Sequence, residues 1–94
     1  MGATLITHRK ERRDDGVVVE IVIWQLPQAT ADRPHGLKYR LYCGRDGACL
    51  VRYDNEAGKG DHRHYGDRQE PYRFDSLTRL IEDFTTDVDR LTGG

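Results

Sequence analysis

His62 and His64 are separated by one residue, so in an extended segment both imidazoles project to the same side. They are two of the chain's four histidines. In the surrounding run Gly58-Lys59-Gly60-Asp61-His62-Arg63-His64-Tyr65, a carboxylate, two cations and a phenol alternate with or flank the rings. Groups of this variety are what proton transfer needs at neutral pH. One chemistry they suit is metal-independent cleavage of a phosphodiester. One neutral histidine would take the proton of an RNA 2′-hydroxyl, and the other, protonated, would give one to the leaving oxygen. Lys59 or Arg52 would stabilise the charge on phosphorus. Spacing leaves the acid and base roles interchangeable. Glycine at 58 and 60 would let backbone N–H groups approach a phosphate closely. The catalytic candidates are therefore His62, His64, Lys59 and Asp61.

Other chemistries fit the same residues. Asp61, His62 and His64 could ligate a metal, with Asp67 or His35 completing the shell, but His-x-His is a short spacing that arises by chance. No third and fourth ligands are fixed by spacing, and we assign neither metal nor cofactor. A third reading is an inert polar loop packed against Tyr65 and Tyr72. Arg52, Arg63, Tyr65 and Tyr72 are the substrate-binding candidates, because arginines beside aromatics occur where bases stack. Aromatics leading into a helix serve equally as core, and Arg52 with Asp54 serves equally as an ion pair.

The elements that must hold these residues follow from periodicity. Ala3 to His8 alternates weakly, as a short edge strand ending in the charge cluster from Arg9 to Asp15. Gly16 to Leu26 is apolar on both faces, with Val17, Val19, Ile21 and Ile23 on one and Val18, Val22 and Trp24 on the other, which predicts a central strand covered on both sides. Leu37 to Cys43 alternates cleanly. Gly44-Arg45-Asp46-Gly47 is a tight hairpin connection, and Ala48 to Asp54 returns as its antiparallel partner. Asn55 to Phe74 is almost free of aliphatic residues and reads as a long loop of the functional kind. A helix begins after Asp75 as N-cap and carries Leu77, Leu80, Ile81, Phe84, Val88 and Leu91 at helical spacing, with Glu82, Asp83, Asp87 and Asp89 on its solvated face. The fold class is α+β: a small, mostly antiparallel meander of three to four strands with one C-terminal helix packed on one face.

With 94 residues the chain, 1–94, forms a single domain. A formal net charge of −1 excludes adhesion to nucleic acid or anionic lipid by bulk charge, so any such binding is local. No apolar segment is long enough for a signal peptide or membrane span, so a cytoplasmic protein without membrane association is expected. Cys43 and Cys49 are expected as free thiols, and no zinc-ribbon spacing occurs. An open sheet of this size has unpaired edges that would allow a homodimer.

Three runs resemble the TumE-type family of small bacterial proteins: Arg52-Tyr53-Asp54-Asn55-Glu56, then Gly58-Lys59-Gly60-Asp61-His62-Arg63-His64, then Glu70-Pro71-Tyr72-Arg73-Phe74 leading into Leu80-Ile81-Glu82-Asp83-Phe84. The likeness extends to Val22-Ile23-Trp24 and is most specific in the segment around Lys59 to His64. It implies the toxin half of a toxin–antitoxin pair, with a helix-turn-helix antitoxin as cognate partner and RNA as the target favoured by the histidine pair. The family is better defined by its neighbouring antitoxin than by a reaction. The competing class is therefore a non-enzymatic module whose loop docks a partner protein.

Overall fold

The computed structural model describes residues 2–56 and 58–93. Six strands, β1 (Thr4–Arg12), β2 (Val17–Gln25), β3 (Leu37–Arg45), β4 (Ala48–Asp54), β5 (His62–Tyr65) and β6 (Arg68–Pro71), precede one helix, α1 (Leu77–Thr92). The strands pair antiparallel in chain order, an uninterrupted meander. The α+β class with a helix-backed antiparallel sheet holds, but the sheet has six strands rather than three to four.

Alternation decides which side chains meet the helix. The pairs Ile23↔Tyr39, Ile21↔Leu41 and Val19↔Cys43 continue through Leu41↔Tyr53 and Cys43↔Val51, so these residues share one face. α1 lies across β4 on that face. Leu80, Phe84 and Val88 are buried there with Val51 and Tyr53, and Tyr53 meets Phe84 edge-on at 5.9 Å. Ser76, one residue after the expected Asp75, is the N-cap and accepts a hydrogen bond from Arg79 N at 3.1 Å. Gly93 closes the helix in the left-handed region at φ 79°. Asp46 (φ 51°) and Gly47 (φ 84°) make the mirror-image turn that suits the twist of the β3–β4 hairpin. Both cysteines are free thiols.

Four expectations change. β2 is covered by the helix on one face only; Val18, Val22 and Trp24 stay half-buried, beside the long stems of Lys38 and Arg40 from β3. β1 runs through most of the charge cluster to Arg12, because an edge strand exposed on both sides tolerates charge at every position. The aliphatic-poor segment after Asn55 contains the β5–β6 hairpin. There the Arg63 guanidinium lies over Tyr53, Tyr65 and Tyr72, at 5.8, 5.4 and 5.8 Å from the ring centres, and fills the space aliphatic residues would occupy. Finally, the acidic stripe of α1 is not uniformly solvated. Asp87 is buried and accepts hydrogen bonds from Tyr53 Oη (2.5 Å), Tyr65 Oη (2.6 Å) and Arg90 Nη2 (3.0 Å), while Asp83 accepts one from Tyr72 Oη at 2.7 Å.

Burial alone would raise the Asp87 carboxyl, but the hydrogen bonds from Tyr53, Tyr65 and Arg90 outweigh it and hold the group below the usual carboxylate range. A depressed folded value stabilises the fold fully above the unfolded value, about 3.9, and the contribution is lost as pH falls through the folded one. Asp87→Asn is expected to lower stability by about 1–3 kcal/mol at pH 7. In urea titrations the gap from wild type should shrink steadily as pH falls below about 4. A gap that stays constant over that range would contradict the assignment.

Candidate functional site

The face opposite α1 receives the other half of the alternation. In the β4–β5 pairing Asp54 stands opposite His62 and Arg52 opposite His64, so all four side chains share the face away from the helix. The two imidazoles lie edge to face with centres 5.0 Å apart. Asp54 Oδ1 is 2.7 Å from His62 Nε2 and 3.6 Å from His64 Nε2, and Asp54 Oδ2 is 2.9 Å from Arg52 Nε. Arg52 Nη2 lies 3.1 Å from His64 Nε2. Asp54 and His62 are buried and His64 is half-buried.

Hydrogen bonding separates the two histidines. An arginine can only donate, so His64 Nε2 facing Arg52 is the acceptor nitrogen and carries no proton. Burial lowers the His64 pKa, the Arg52 charge and His62 lower it further, and Asp54 opposes them without prevailing. His62 Nδ1 lies 3.0 Å from the Gly60 carbonyl, and its Nε2 stands at ion-pair distance, 2.7 Å, from Asp54 Oδ1. Asp54 Oδ1 and Arg52 Nε are buried within ion-pair distance of their partners yet make no directed hydrogen bond.

A polar clasp fixes where β5 begins. Asn55, almost fully buried, accepts from Tyr39 N (3.0 Å) and donates to the Leu37 carbonyl (2.8 Å). Arg33 in the β2–β3 connection donates twice to the Asn55 carbonyl, at 2.9 and 2.8 Å. Asp32 accepts from Gly58 N at 2.6 Å. Asp61 accepts from Tyr39 Oη at 2.7 Å and pairs with His35 at 3.0 Å, and its carbonyl accepts from Tyr72 N.

The sequence-derived residues are therefore divided. His62, His64 and Arg52 come together, with Asp54 as the fourth member. Asp61 is turned toward Tyr39 and His35 and anchors the strand. Lys59 is exposed and pairs with Glu56 at 3.7 Å, on the rim of a recess of 230 Å³ that His62, Gln69 and Pro71 also line. Arg63, Tyr65 and Tyr72 stand on the other side of the sheet, bonded to Glu70, Asp87 and Asp83. The signal for Asp54 in the sequence was its place two residues from Arg52 on one strand face.

Fold and cluster together define a small helix-backed α+β domain with a compact ionisable site on its open sheet face. The family model described as Toxin TumE matches residues 3–92, and the chain belongs to that toxin family. A toxin family implies an antitoxin as partner. Comparison with curated proteins and with solved structures finds no match. Among the described residues no helix is long and apolar enough to cross a membrane.

Because Arg52 is one cause of the low His64 pKa, Arg52→Met should raise it toward the ordinary value near 6.5. An NMR titration of the imidazole Hε1 signals reads this directly. A His64 pKa unchanged or lowered by the substitution would show that Arg52 does not face the ring in solution.

Proposed function

We propose that this toxin cleaves single-stranded RNA without a metal ion, using His64 as base and His62 as acid. The observation that carries the reading is the pairing of two same-side imidazoles with opposite polar neighbours, the Arg52 guanidinium beside His64 and the Gly60 carbonyl and Asp54 carboxylate beside His62. His64 Nε2 takes the proton of the 2′-hydroxyl, and the 2′-oxygen attacks phosphorus. His62 delivers its Nε2 proton to the 5′-oxygen as the P–O5′ bond breaks. The Arg52 guanidinium turns from His64 to the equatorial oxygens and stabilises their charge. Asp54 holds His62 and Arg52 in place. Lys59, on the rim beside His62, adds a weaker electrostatic contribution, and Asp61 positions the strand. A helix-turn-helix antitoxin is the proposed partner that silences the site.

A second reading rests on one feature: Asp54, His62 and His64 offer ligand atoms all within 4.8 Å of one another, enough for three positions of a zinc shell. The fixed positive charge of Arg52, 3.1 Å from one of those nitrogens, weighs against a cation there.

His62→Ala and His64→Ala should each lower cleavage of an unstructured RNA by about 10²–10⁴-fold, and the pair should relieve growth inhibition. The acid limb of the pH–rate profile should fall below the ordinary imidazole value, since His64 must lose its proton to act. Full toxicity in the double variant would return the reading to a non-enzymatic binding module. Activity lost to EDTA and restored by zinc would favour the metal.

A further inference from the structure

On the face that carries the histidines, one row of side chains runs across the sheet through Val22↔Arg40, Arg40↔Asp54 and Asp54↔His62. The adjacent pair is Trp24↔Lys38. Between them is a recess of 410 Å³ lined by Val22, Trp24, Lys38, Arg40, Asp54 and Asn55, within the range of roughly 300–1,000 Å³ typical of small-ligand pockets. Asp54 is the shared wall, since it lines the recess and also pairs with His62.

We infer that this recess is a base-binding subsite, in which one unpaired nucleobase of an RNA strand stacks on Trp24 while Lys38 and Arg40 hold its backbone. The inference rests on the cleavage reading for the identity of the polymer. Three features of the recess carry it independently of the chemistry. First, the indole is half-buried, so its position is fixed while part of it stays open, as a stacking platform requires. Second, the charge on this face suits a polyanion. Lys38 and Arg40 are exposed, Arg40 only loosely paired with Glu20 at 3.8 Å, and the other nearby carboxylates have cations beside them, Asp54 with Arg52 and Glu56 with Lys59. Third, β2 lies three strand spacings from β5, about 14 Å, so a strand with one phosphate at the histidines can place a nearby base at the recess. A duplex keeps its bases stacked on one another and cannot offer one to the indole. Two larger recesses, of 520 and 680 Å³, border α1 and include none of the histidine cluster.

Trp24 is the only tryptophan, so fluorescence excited selectively at tryptophan rather than at the five tyrosines reports on this recess alone. The His62→Ala/His64→Ala variant, which does not cleave, is titrated with a single-stranded oligoribonucleotide, the matching duplex, and inorganic polyphosphate. Saturable quenching by the single strand, weakened at least about tenfold by Lys38→Ala/Arg40→Ala, is expected. Duplex and polyphosphate should quench little. In anisotropy measurements with a labelled single strand, Trp24→Phe should retain most of the affinity and Trp24→Ala should lose at least about tenfold. No quenching, quenching indifferent to Lys38 and Arg40, or equal quenching by polyphosphate would overturn the subsite. So would equal affinity in the Phe and Ala variants. Failure of the two ideas is separable: cleavage by wild type with a silent Trp24 rejects the subsite alone, and a saturable response in a protein that never cleaves rejects the cleavage alone.

Discussion

The antiparallel register of β4 against β5 is the constraint on which both halves of this molecule depend. With Asp54 opposite His62 and Arg52 opposite His64, the residues between them, Tyr53 and Arg63, are thrown to the helix side. There Tyr53 packs on Tyr72 and Phe84 and bonds Asp87. A slip of one residue would carry both imidazoles into the core and the Tyr53 side chain out of it. Stability and site geometry are thus fixed by the same pairing. The buried hydroxyl–carboxylate contacts under α1 hold the histidines in place from the far side of the sheet, although none touches them.

That register needs a defined starting point, and β4 and β5 are joined by a connection too polar to be fixed by apolar packing. Asn55, Asp61, Arg33 and Asp32 supply hydrogen bonds instead, tying the connection to Leu37 and Tyr39 on β3 and to the β2–β3 loop. Asp61 is the clearest case of a residue whose type suggests proton transfer and whose carboxylate is already engaged within the fold. Its carboxylate is engaged by Tyr39 and His35, and Tyr39, buried and bonded to that carboxylate, has its pKa driven up and stays a hydrogen-bond donor.

The parts of this structure that could be read from the sequence are those with a clean apolar period. β2, β3, β4 and the stripe from Leu77 to Leu91 follow directly from alternation at two or near four residues. The β5–β6 hairpin was hidden because Arg63, Tyr65 and Tyr72 do the work of aliphatic residues, by cation–π stacking and hydrogen bonds that no hydropathy pattern records. Asp87 reads as solvated for the same reason: its burial depends on Tyr53 and Tyr65, which reach it from β4 and β5. The His-x-His pair was legible as a same-side couple. That Arg63 and Tyr65 stand on the other face follows from the same alternation, whereas Asp54 completes the pair only through cross-strand register, which a single sequence leaves open.

The roles given to His64 and His62 commit the reaction to attack by the 2′-oxygen and departure of the 5′-oxygen. The chemical ends of the cleaved RNA therefore test the account most directly. Purified protein incubated in EDTA with an unstructured RNA should leave 2′,3′-cyclic phosphate and 5′-hydroxyl ends, and a substrate with 2′-deoxy at the scissile position should resist cleavage. Fragments carrying 5′-phosphate and 3′-hydroxyl ends, or equal cleavage of the deoxy-substituted strand, would contradict it.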